Sequence, residues 1–379
     1  MFTPNKNELK AFWDLARTFA ARELAGKVEE HDRYPFGEFF HSVLDKAYTV
    51  GFLSVMLPDA AGGTGGGITA LCEILQKICE VDASLGGIIF TNALSQEILR
   101  AAGAEDLALS IFPKAASAKE FLVSFPAYAN PAQTDALPRV EGTGGNCTLT
   151  GRFEFLVLGN IAGHAILPAR AGKGPEYSFF LIHLADEGVE KSDPIFTLGL
   201  HACPALDVTL HGVKARLIGK ENTGNQYLEK VSLRMNVAAA AMNAGIIRGS
   251  FNEALAYSRQ RLQGGRPIAN WSEVGMMLAG MSIKADVAAM CVAQSCLELE
   301  QKGDECASRV LAASLHVHEL ACEAVGDGIQ ILGGYGYMKD HGQEKRFRDA
   351  RMVQALFGPA PMKKLDMIRR AAGLDKSNA

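Results

Sequence analysis

The residues best suited to chemistry lie in the C-terminal third of this chain, in two segments. The first is Tyr257-Ser258-Arg259-Gln260-Arg261. The guanidinium of Arg261 is a planar fork of donors, and a fork of this shape suits a pyrophosphate. The second segment runs from Gln330 to Tyr337, and its Gly333 and Gly334 would let a ligand approach the backbone because no Cβ intervenes. Taken alone, the glycines would more simply end a helix and turn the chain.

Three other patterns are interpreted as structural. The glycine-rich stretch Leu57–Gly67 has no lysine, so it cannot be a P-loop and is expected to form a turn. His316-Val317-His318-Glu319 lacks the spacing that puts two histidines on one helical face, so no metal site is predicted, and His318 is expected to be a hydrogen-bonded core residue. The eight cysteines form no Cys-x-x-Cys pair and are expected to be reduced thiols, most of them in the core.

The composition is that of an ordinary globular protein. The chain has 379 residues, 48% of them apolar and 21% charged. A formal net charge of −4 does not indicate a nucleic-acid or anionic-membrane binder. The first residues do not resemble a secretory signal, and the longest apolar run, Val237–Ile247, is too short to span a bilayer. We therefore expect a cytoplasmic protein with no membrane span.

Hydrophobic periodicity divides the chain into three blocks. Residues 1–120 have the three- to five-residue steps of helices. Residues 121–225 contain short stretches rich in β-formers between Gly, Pro and Asn clusters, which predicts an antiparallel β-domain. Residues 226–379 are helical again, and the alternating four- and three-residue steps from Leu311 to Leu332 are typical of a bundle. The fold class is α+β, with a helical domain, a β-domain and a four-helix bundle.

The stretch Gln330–Tyr337 and the run Arg348-Asp349-Ala350-Arg351 resemble the C-terminal signature of the acyl-CoA dehydrogenase family. The order of the three blocks is similar as well, so the resemblance covers essentially the whole chain. It implies FAD as the cofactor and an acyl-CoA thioester as the substrate, which loses two hydrogens from its α and β carbons. It also implies a dimer or tetramer and, as a possible electron acceptor, another flavoprotein.

The resemblance also implies where FAD would bind. Arg261 and the Gln330, Gly333 and Gly334 loop would contact its pyrophosphate and adenosine across a subunit interface. On the flavin-ring side, Phe155 would lie against the ring. Val157 stands where the family uses a hydroxyl to bind the flavin, and Thr134 remains from a more degenerate upstream segment.

The catalytic residue is unknown, because Phe357 occupies the position at which many family members have the proton-abstracting glutamate. A minority of the family place that glutamate at the position of Met235, which is not a base either, and Asn236 replaces a nearby arginine. Glu229 is six residues from Met235, about one and two-thirds turns away. Glu229 is therefore not assigned as the base.

Three hypotheses remain from the sequence. The protein is an acyl-CoA dehydrogenase-type enzyme with an unidentified base, a catalytically silent partner subunit of a hetero-oligomeric acyl-CoA dehydrogenase, or a relative similar to flavin monooxygenases. The second hypothesis places a homologous catalytic subunit beside this one.

Overall fold

A computed structural model describes residues 6–33, 41–128, 131, 137–142, 147–172 and 174–373. Within these ranges the chain runs from helices through a sheet and back to helices, as predicted. Helix α5, from Ala83 to Ala101, is buried along nearly its whole length, and its N-cap Asp82 accepts a hydrogen bond from the Ser84 amide at 2.8 Å. The N-terminal helices are α1 Lys6–Phe19, α2 Val28–His31, α3 His41–Thr49, α4 Gly67–Cys79, α5 Ala83–Ala101, α6 Glu105–Ile111 and α7 Ala118–Phe121.

Seven described strands form the middle sheet, in the order β1-β4-β5-β7-β3-β2, with β6 paired to β7. All pairs are antiparallel except the short pair of β1 with β4. Strand β7 is the longest, with 14 residues, and it pairs with three strands: β5, β3 and β6. The strands are β1 Val123–Ser124, β2 Arg139–Glu141, β3 Cys147–Val157, β4 His164–Ala169, β5 Ser178–His183, β6 Val189–Lys191 and β7 Ala205–Ile218.

The C-terminal block is a bundle of long helices. Helices α8, α9 and α10 run for 37, 31 and 26 residues. The bundle buries an alanine-rich segment of α8, where small side chains let helices approach closely. Its elements are α8 Gly224–Gln260, the hairpin β8 Leu262–Gln263 and β9 Arg266–Pro267, α9 Ser272–Lys302, α10 Ala307–Leu332, α11 Gln343–Gln354 and α12 Ala360–Ala372.

Several element bounds differ from the sequence prediction. The β block was predicted from residue 121, but Phe121 still belongs to α7, and the first strand is the short pair Val123–Ser124. There Ser117 caps the turn by accepting from the Glu120 amide at 3.3 Å, which favours helix over strand. The first helix of the C-terminal block begins at Gly224, two residues before the predicted start of that block at residue 226. The exact domain boundaries at 120 and 225 stay a prediction.

A buried ion network connects the three blocks through α11. Lys345 lies between Asp82, at 3.0 Å, and Asp349, at 2.6 Å. Asp349 in turn accepts the backbone N–H of Leu200, in the loop before β7, at 2.7 Å. One turn along, Arg348 binds Asp32 at 2.5 Å. Because each charge has an opposite partner, the network is tolerated in the interior.

Helix α9 exposes a row of large apolar side chains. Its members recur every seven residues, which places them on one face of the helix. They are Met276, Ile283, Met290 and Leu297, exposed by 50 to 68%. By length and composition α9 could also cross a membrane, but such a test is weak for a single helix, and 28% of its apolar window is buried in the bundle. We call this row the α9 stripe.

The cysteine prediction is confirmed. All eight cysteines are free, and six of them are buried. Burial raises the pKa of the Cys79 and Cys203 thiols, which keeps them protonated and unreactive.

Candidate FAD-binding site and the missing base

The ends of α8 and α10 form a cavity of about 1170 Å³. Helix α8 ends at Gln260, and the amide of Arg261 still donates to the carbonyl of Tyr257 at 2.9 Å. Helix α10 ends where Gly333 takes a left-handed φ of 58°. The turns after these two helices direct backbone and side chains into this cavity. The lining includes Tyr257, Arg261, Gly264, Trp271, Gln330, Gly333, Gly334, Tyr335 and Met338.

The glycine loop leaves the backbone open to a ligand. A Cβ added at Gly333 or Gly334 would meet no atom within 4 Å, so both glycines border free space. Gln330 is exposed one turn before them. The loop can therefore offer an amide side chain and bare backbone to the same bound group.

Arg261 is exposed and has no ion pair with any residue in the described ranges. Its guanidinium faces a cavity and not a carboxylate partner. Such an arrangement suits an anionic ligand, because no internal salt bridge must break before binding.

The β8–β9 hairpin explains Gly264, where the resembling family usually has phenylalanine. Gly264 and Gly265 both have positive φ, 60° and 79°, as a two-residue hairpin loop of type I′ requires. A Cβ at Gly264 would also lie 2.9 Å from the Trp271 ring. The guanidinium of Arg266 lies over the Trp271 ring, 3.7 Å from the ring centroid. The aromatic surface lost at position 264 is thus supplied by Trp271.

Phe155 is turned outward by an irregularity in β3. The register between β3 and β7 shifts between Phe153 and Leu156, and Phe155 has a φ of 58°. Asp207 holds this bulge by accepting from the Phe155 amide at 3.1 Å and from Arg152 at 2.6 Å. A bulge of this kind redirects a side chain, and the Phe155 ring is 43% exposed.

Val157 is enclosed by the sheet. Its side chain is 1% exposed. Its amide donates to Phe125, and its carbonyl accepts from both the Phe125 amide and the Ser124 hydroxyl. Val157 therefore offers no free hydrogen-bonding group to a cofactor, in keeping with the expected loss of a hydroxyl. Thr134 lies outside the described residues.

Phe357 takes a strained and partly buried position. Its φ is 62°, an outlier for a bulky residue, and its amide donates to the carbonyl of Ala127 at 3.1 Å. Its ring lies edge-on to Phe90, with centroids 5.9 Å apart. Nothing at this position can accept a proton.

The alternative base position on α8 is equally inert. Met235 is fully buried, and the Asn236 amide donates to its own helix at Ser232, 2.8 Å away. Arg234 points instead to Glu97 of α5, at 3.3 Å. Arg234 and Asn236 therefore make their contacts on different sides of α8.

Sequence reasoning missed Glu97. Its carboxylate is buried and is held by both nitrogens of a bidentate fork from Arg100, at 2.7 and 2.8 Å. With two arginines as partners it is a structural anion in this geometry. The only local signal was an acidic residue three positions before Arg100 on the same helix.

His318 is a structural histidine, as expected. It is 1% exposed, and its Nδ1 accepts from the side-chain amide of Asn243 at 2.7 Å. Burial, assisted by the nearby charge of Lys363, lowers the pKa of His318 to about 3, so the ring is neutral.

Two family models match the chain along most of its length. Residues 6–119 match the N-terminal domain of acyl-CoA dehydrogenases, and residues 223–372 match their C-terminal domain. The chain belongs to the acyl-CoA dehydrogenase family.

Curated relatives of this family member span nearly the whole chain. It is 28% identical to the 3-(aryl)acrylate reductase of Clostridium sporogenes, over 96% of this chain and 98% of that protein. It is 25% identical to subunit CarC of the caffeyl-CoA reductase-Etf complex of Acetobacterium woodii, over 93% and 94%. Among solved structures, the butyryl-CoA dehydrogenase of Megasphaera elsdenii superposes with a TM-score of 0.88 at 20% identity, over 98% of this chain and all of that one.

FAD is the cofactor of this family. A family structure from Bacillus anthracis solved with FAD has a TM-score of 0.83 at 20% identity, and covers 98% of this chain and 69% of that one. The cavity beside Arg261 fits the diphosphate and adenosine half of the cofactor, because an unpaired guanidinium and open glycine backbone line a volume of about 1170 Å³. On the side expected to face the flavin ring, Phe155 offers a flat apolar surface, whereas Val157 offers no free hydrogen-bonding group.

Proposed function

We propose that this protein is an FAD-dependent oxidoreductase of the acyl-CoA dehydrogenase type, acting at the α,β bond of a CoA thioester. The family assignment supports the proposal, and so do relatives whose names specify caffeyl-CoA and butyryl-CoA. When bound, FAD supplies the acceptor for the hydride that leaves the β carbon. Arg261 of one subunit would donate to its pyrophosphate, and the Gln330–Gly334 loop of that subunit would border its adenosine. Phe155 of the neighbouring subunit would face its ring.

A second candidate function is a subunit that completes a neighbour's FAD site and performs no chemistry of its own. The single observation that favours it is an asymmetry between the two ends of the site. Arg261 and the glycine loop are exposed and open, whereas Phe357 is packed against Phe90 and Val157 is enclosed. Dehydrogenation needs a group that removes the α proton, and neither Phe357 nor Met235 can do so.

Assembly into a dimer or tetramer is part of the proposal. The α9 stripe is a contiguous apolar surface on a single helix, which is characteristic of protein interfaces. Because the family uses Arg261 and Gln330 across a subunit boundary, the adenosine cavity would be complete only in the oligomer. Electron exchange with a separate flavoprotein is consistent with the caffeyl-CoA reductase relative, which is a subunit of a complex with Etf.

The two candidates are separated by α-proton exchange. The purified chain, loaded with FAD, is incubated in D₂O with a panel of acyl-CoAs that includes aryl-substituted and saturated short chains. Deuterium incorporation at the α carbon, measured by mass spectrometry, would demonstrate a base and favour the enzyme. FAD binding without exchange on any substrate would favour the silent subunit. Failure to bind FAD, alone or mixed with a catalytic homologue, would contradict both.

A further inference from the structure

Strands β5 and β7 separate part-way along the sheet. β5 pairs with β7 only from Phe179 to Leu181, opposite Ile218 to Arg216. From Ala215 back to Ala205, β7 pairs with β3. Strand β5 instead continues to His183 against β4. A cavity of about 650 Å³ lies where the strands diverge, next to α6. This fork cavity shares no lining residue with the cavity at Arg261.

The strand register brings polar side chains to one face of the fork. His164 lies opposite His183, Leu181 opposite Arg216, and Thr148 opposite Lys214. Opposite residues in an antiparallel pair share a face, and so do residues two apart on one strand. The same face therefore carries two imidazoles, an ammonium, a guanidinium and a hydroxyl, although they come from four strands.

The cations of the fork cavity are weakly compensated. Lys214 has no ion pair with a residue in the described ranges. Within the described part of the chain, Arg216 reaches only the Ser110 hydroxyl, at 3.5 Å, and the 79% exposed carboxylate of Asp106, at 3.8 Å. An exposed pair at that distance contributes little, so both cations are available to a ligand.

The neighbouring surface extends the fork cavity. A second cavity, of about 540 Å³, shares Asp186 and Lys214 with it and continues along β7 to His211. Asp186 lies 3.8 Å from His183 at the common rim. At this rim the Asp186 carboxylate can accept from ligand hydroxyls, next to the Lys214 ammonium that can bind an anion. The two cavities together are larger than an inorganic phosphate requires.

We propose that the fork cavity binds a phosphate-bearing small molecule. Lys214 and Arg216 contact the phosphate oxygens, Thr148 donates a hydroxyl hydrogen bond, and the rest of the ligand extends past Asp186. A phosphate accepts many charge-assisted hydrogen bonds at once, which matches two cations and a hydroxyl better than a single carboxylate would. None of its residues lines the cavity at Arg261 that is proposed for FAD.

The test uses the FAD-loaded protein in phosphate-free buffer at low ionic strength. Isothermal titration calorimetry is carried out with three probes: inorganic phosphate, pyrophosphate and adenosine 3′,5′-bisphosphate. The double variant Lys214→Gln/Arg216→Gln is expected to bind at least about tenfold more weakly, because two charge-assisted contacts are lost. Lys10→Gln/Arg22→Gln removes the same charge from the exposed face of the N-terminal helix and its continuation, and should bind like the original protein.

Each outcome decides the matter. Binding of inorganic phosphate that is lost in the fork variant supports a site for the phosphate group alone. Binding of the bisphosphate only, with the same loss, supports a nucleotide-sized ligand. No binding of any probe at millimolar concentration, or equal weakening in both double variants, overturns the proposal. Thr148→Val removes one hydroxyl at nearly constant volume, and its predicted several-fold weakening provides the answer if the double variant does not fold.

Discussion

The rings of Phe357 and Phe90 lie 5.9 Å apart with their planes inclined at 65°. This edge-to-face contact places two apolar side chains where many members of the family have a carboxylate. A left-handed φ at a phenylalanine is costly, on the order of 1–3 kcal/mol, so the surrounding packing must hold this conformation.

Replacing Phe357 with glutamate should create a base. The carboxylate would lie against Phe90, and partial burial there should raise its pKa, which suits proton abstraction near neutral pH. We expect α-proton exchange on bound acyl-CoA to rise by at least about 100-fold, the lower range for general-base catalysis. Phe357→Gln is the matched control, because glutamine has nearly the same shape as glutamate but carries no charge. Equal exchange in the two variants would mean that the substrate does not reach this position.

Arg261→Ala should weaken FAD binding. A lost charge-assisted hydrogen bond typically costs about 1.5–3 kcal/mol, which is on the order of 10- to 100-fold in Kd. The measurement is flavin fluorescence after gel filtration, with titration of free FAD. Arg259→Ala, an exposed arginine two residues earlier, should retain FAD. Equal retention by both variants would remove Arg261 from the cofactor site.

Charges introduced into the α9 stripe should dissociate the oligomer. Ile283→Glu/Met290→Glu places two carboxylates in the centre of the row, where burial in an interface would require their desolvation. Sedimentation velocity should show a shift toward the monomer and, with it, weaker FAD retention. Leu109→Glu, at a 45% exposed leucine on α6, is the control and should leave the assembly intact. An unchanged sedimentation coefficient in the stripe variant would place the interface elsewhere.

The pair of His201 and Asp32 should make stability depend on pH. Burial alone would lower the pKa of His201, but the hydrogen bond and charge of Asp32, 3.0 Å away, outweigh it and the pKa is raised above 6.5. The protonated ring therefore stabilises the fold fully below pH 6.5, and this contribution is lost as pH rises through the folded-state pKa. Urea midpoints measured from pH 5.5 to 8.5 should show this decline in the original protein but not in His201→Asn. His316→Asn, at an exposed histidine of α10, should keep it.

Lys363→Met should stabilise the protein at neutral pH. Lys363 is 6% exposed and donates to the Gln354 carbonyl at 3.2 Å, and burial lowers its pKa from 10.5 to about 8. The charged form is thus penalised in the folded state, by an amount on the order of 1–3 kcal/mol. Since the unfolded chain binds more protons between pH 8 and 10.5, the stability of the original protein should rise across that window. The advantage of Lys363→Met in thermal melts should shrink accordingly. An advantage that is independent of pH would show that lost packing, and not charge, governs this position.

Features that depend on local sequence were predictable. Arg261 and Gly333 lie within short segments whose residue types determine both the turn and the exposed groups. The fork cavity was not predictable, because Thr148, His164, His183 and Arg216 meet only through strand pairing that shifts part-way along β7. Helix α7 passes the predicted boundary at residue 120 by one residue, and the Ser117 side chain caps it by accepting from the Glu120 amide.

The ion network on α11 also constrains how the molecule is made. Arg348 meets Asp32 across 316 residues of sequence, Lys345 meets Asp82 across 263, and Asp349 meets Leu200 across 149. During synthesis the N-terminal helices and the sheet leave the ribosome long before these partners exist. The cationic partners of Asp32 and Asp82 are therefore synthesised only in the last tenth of the chain. In a nascent or prematurely terminated product, these two carboxylates, which are buried in the complete fold, would have no counter-charge. We expect such fragments to be recognised by chaperones and degraded, and the complete fold to form only after release.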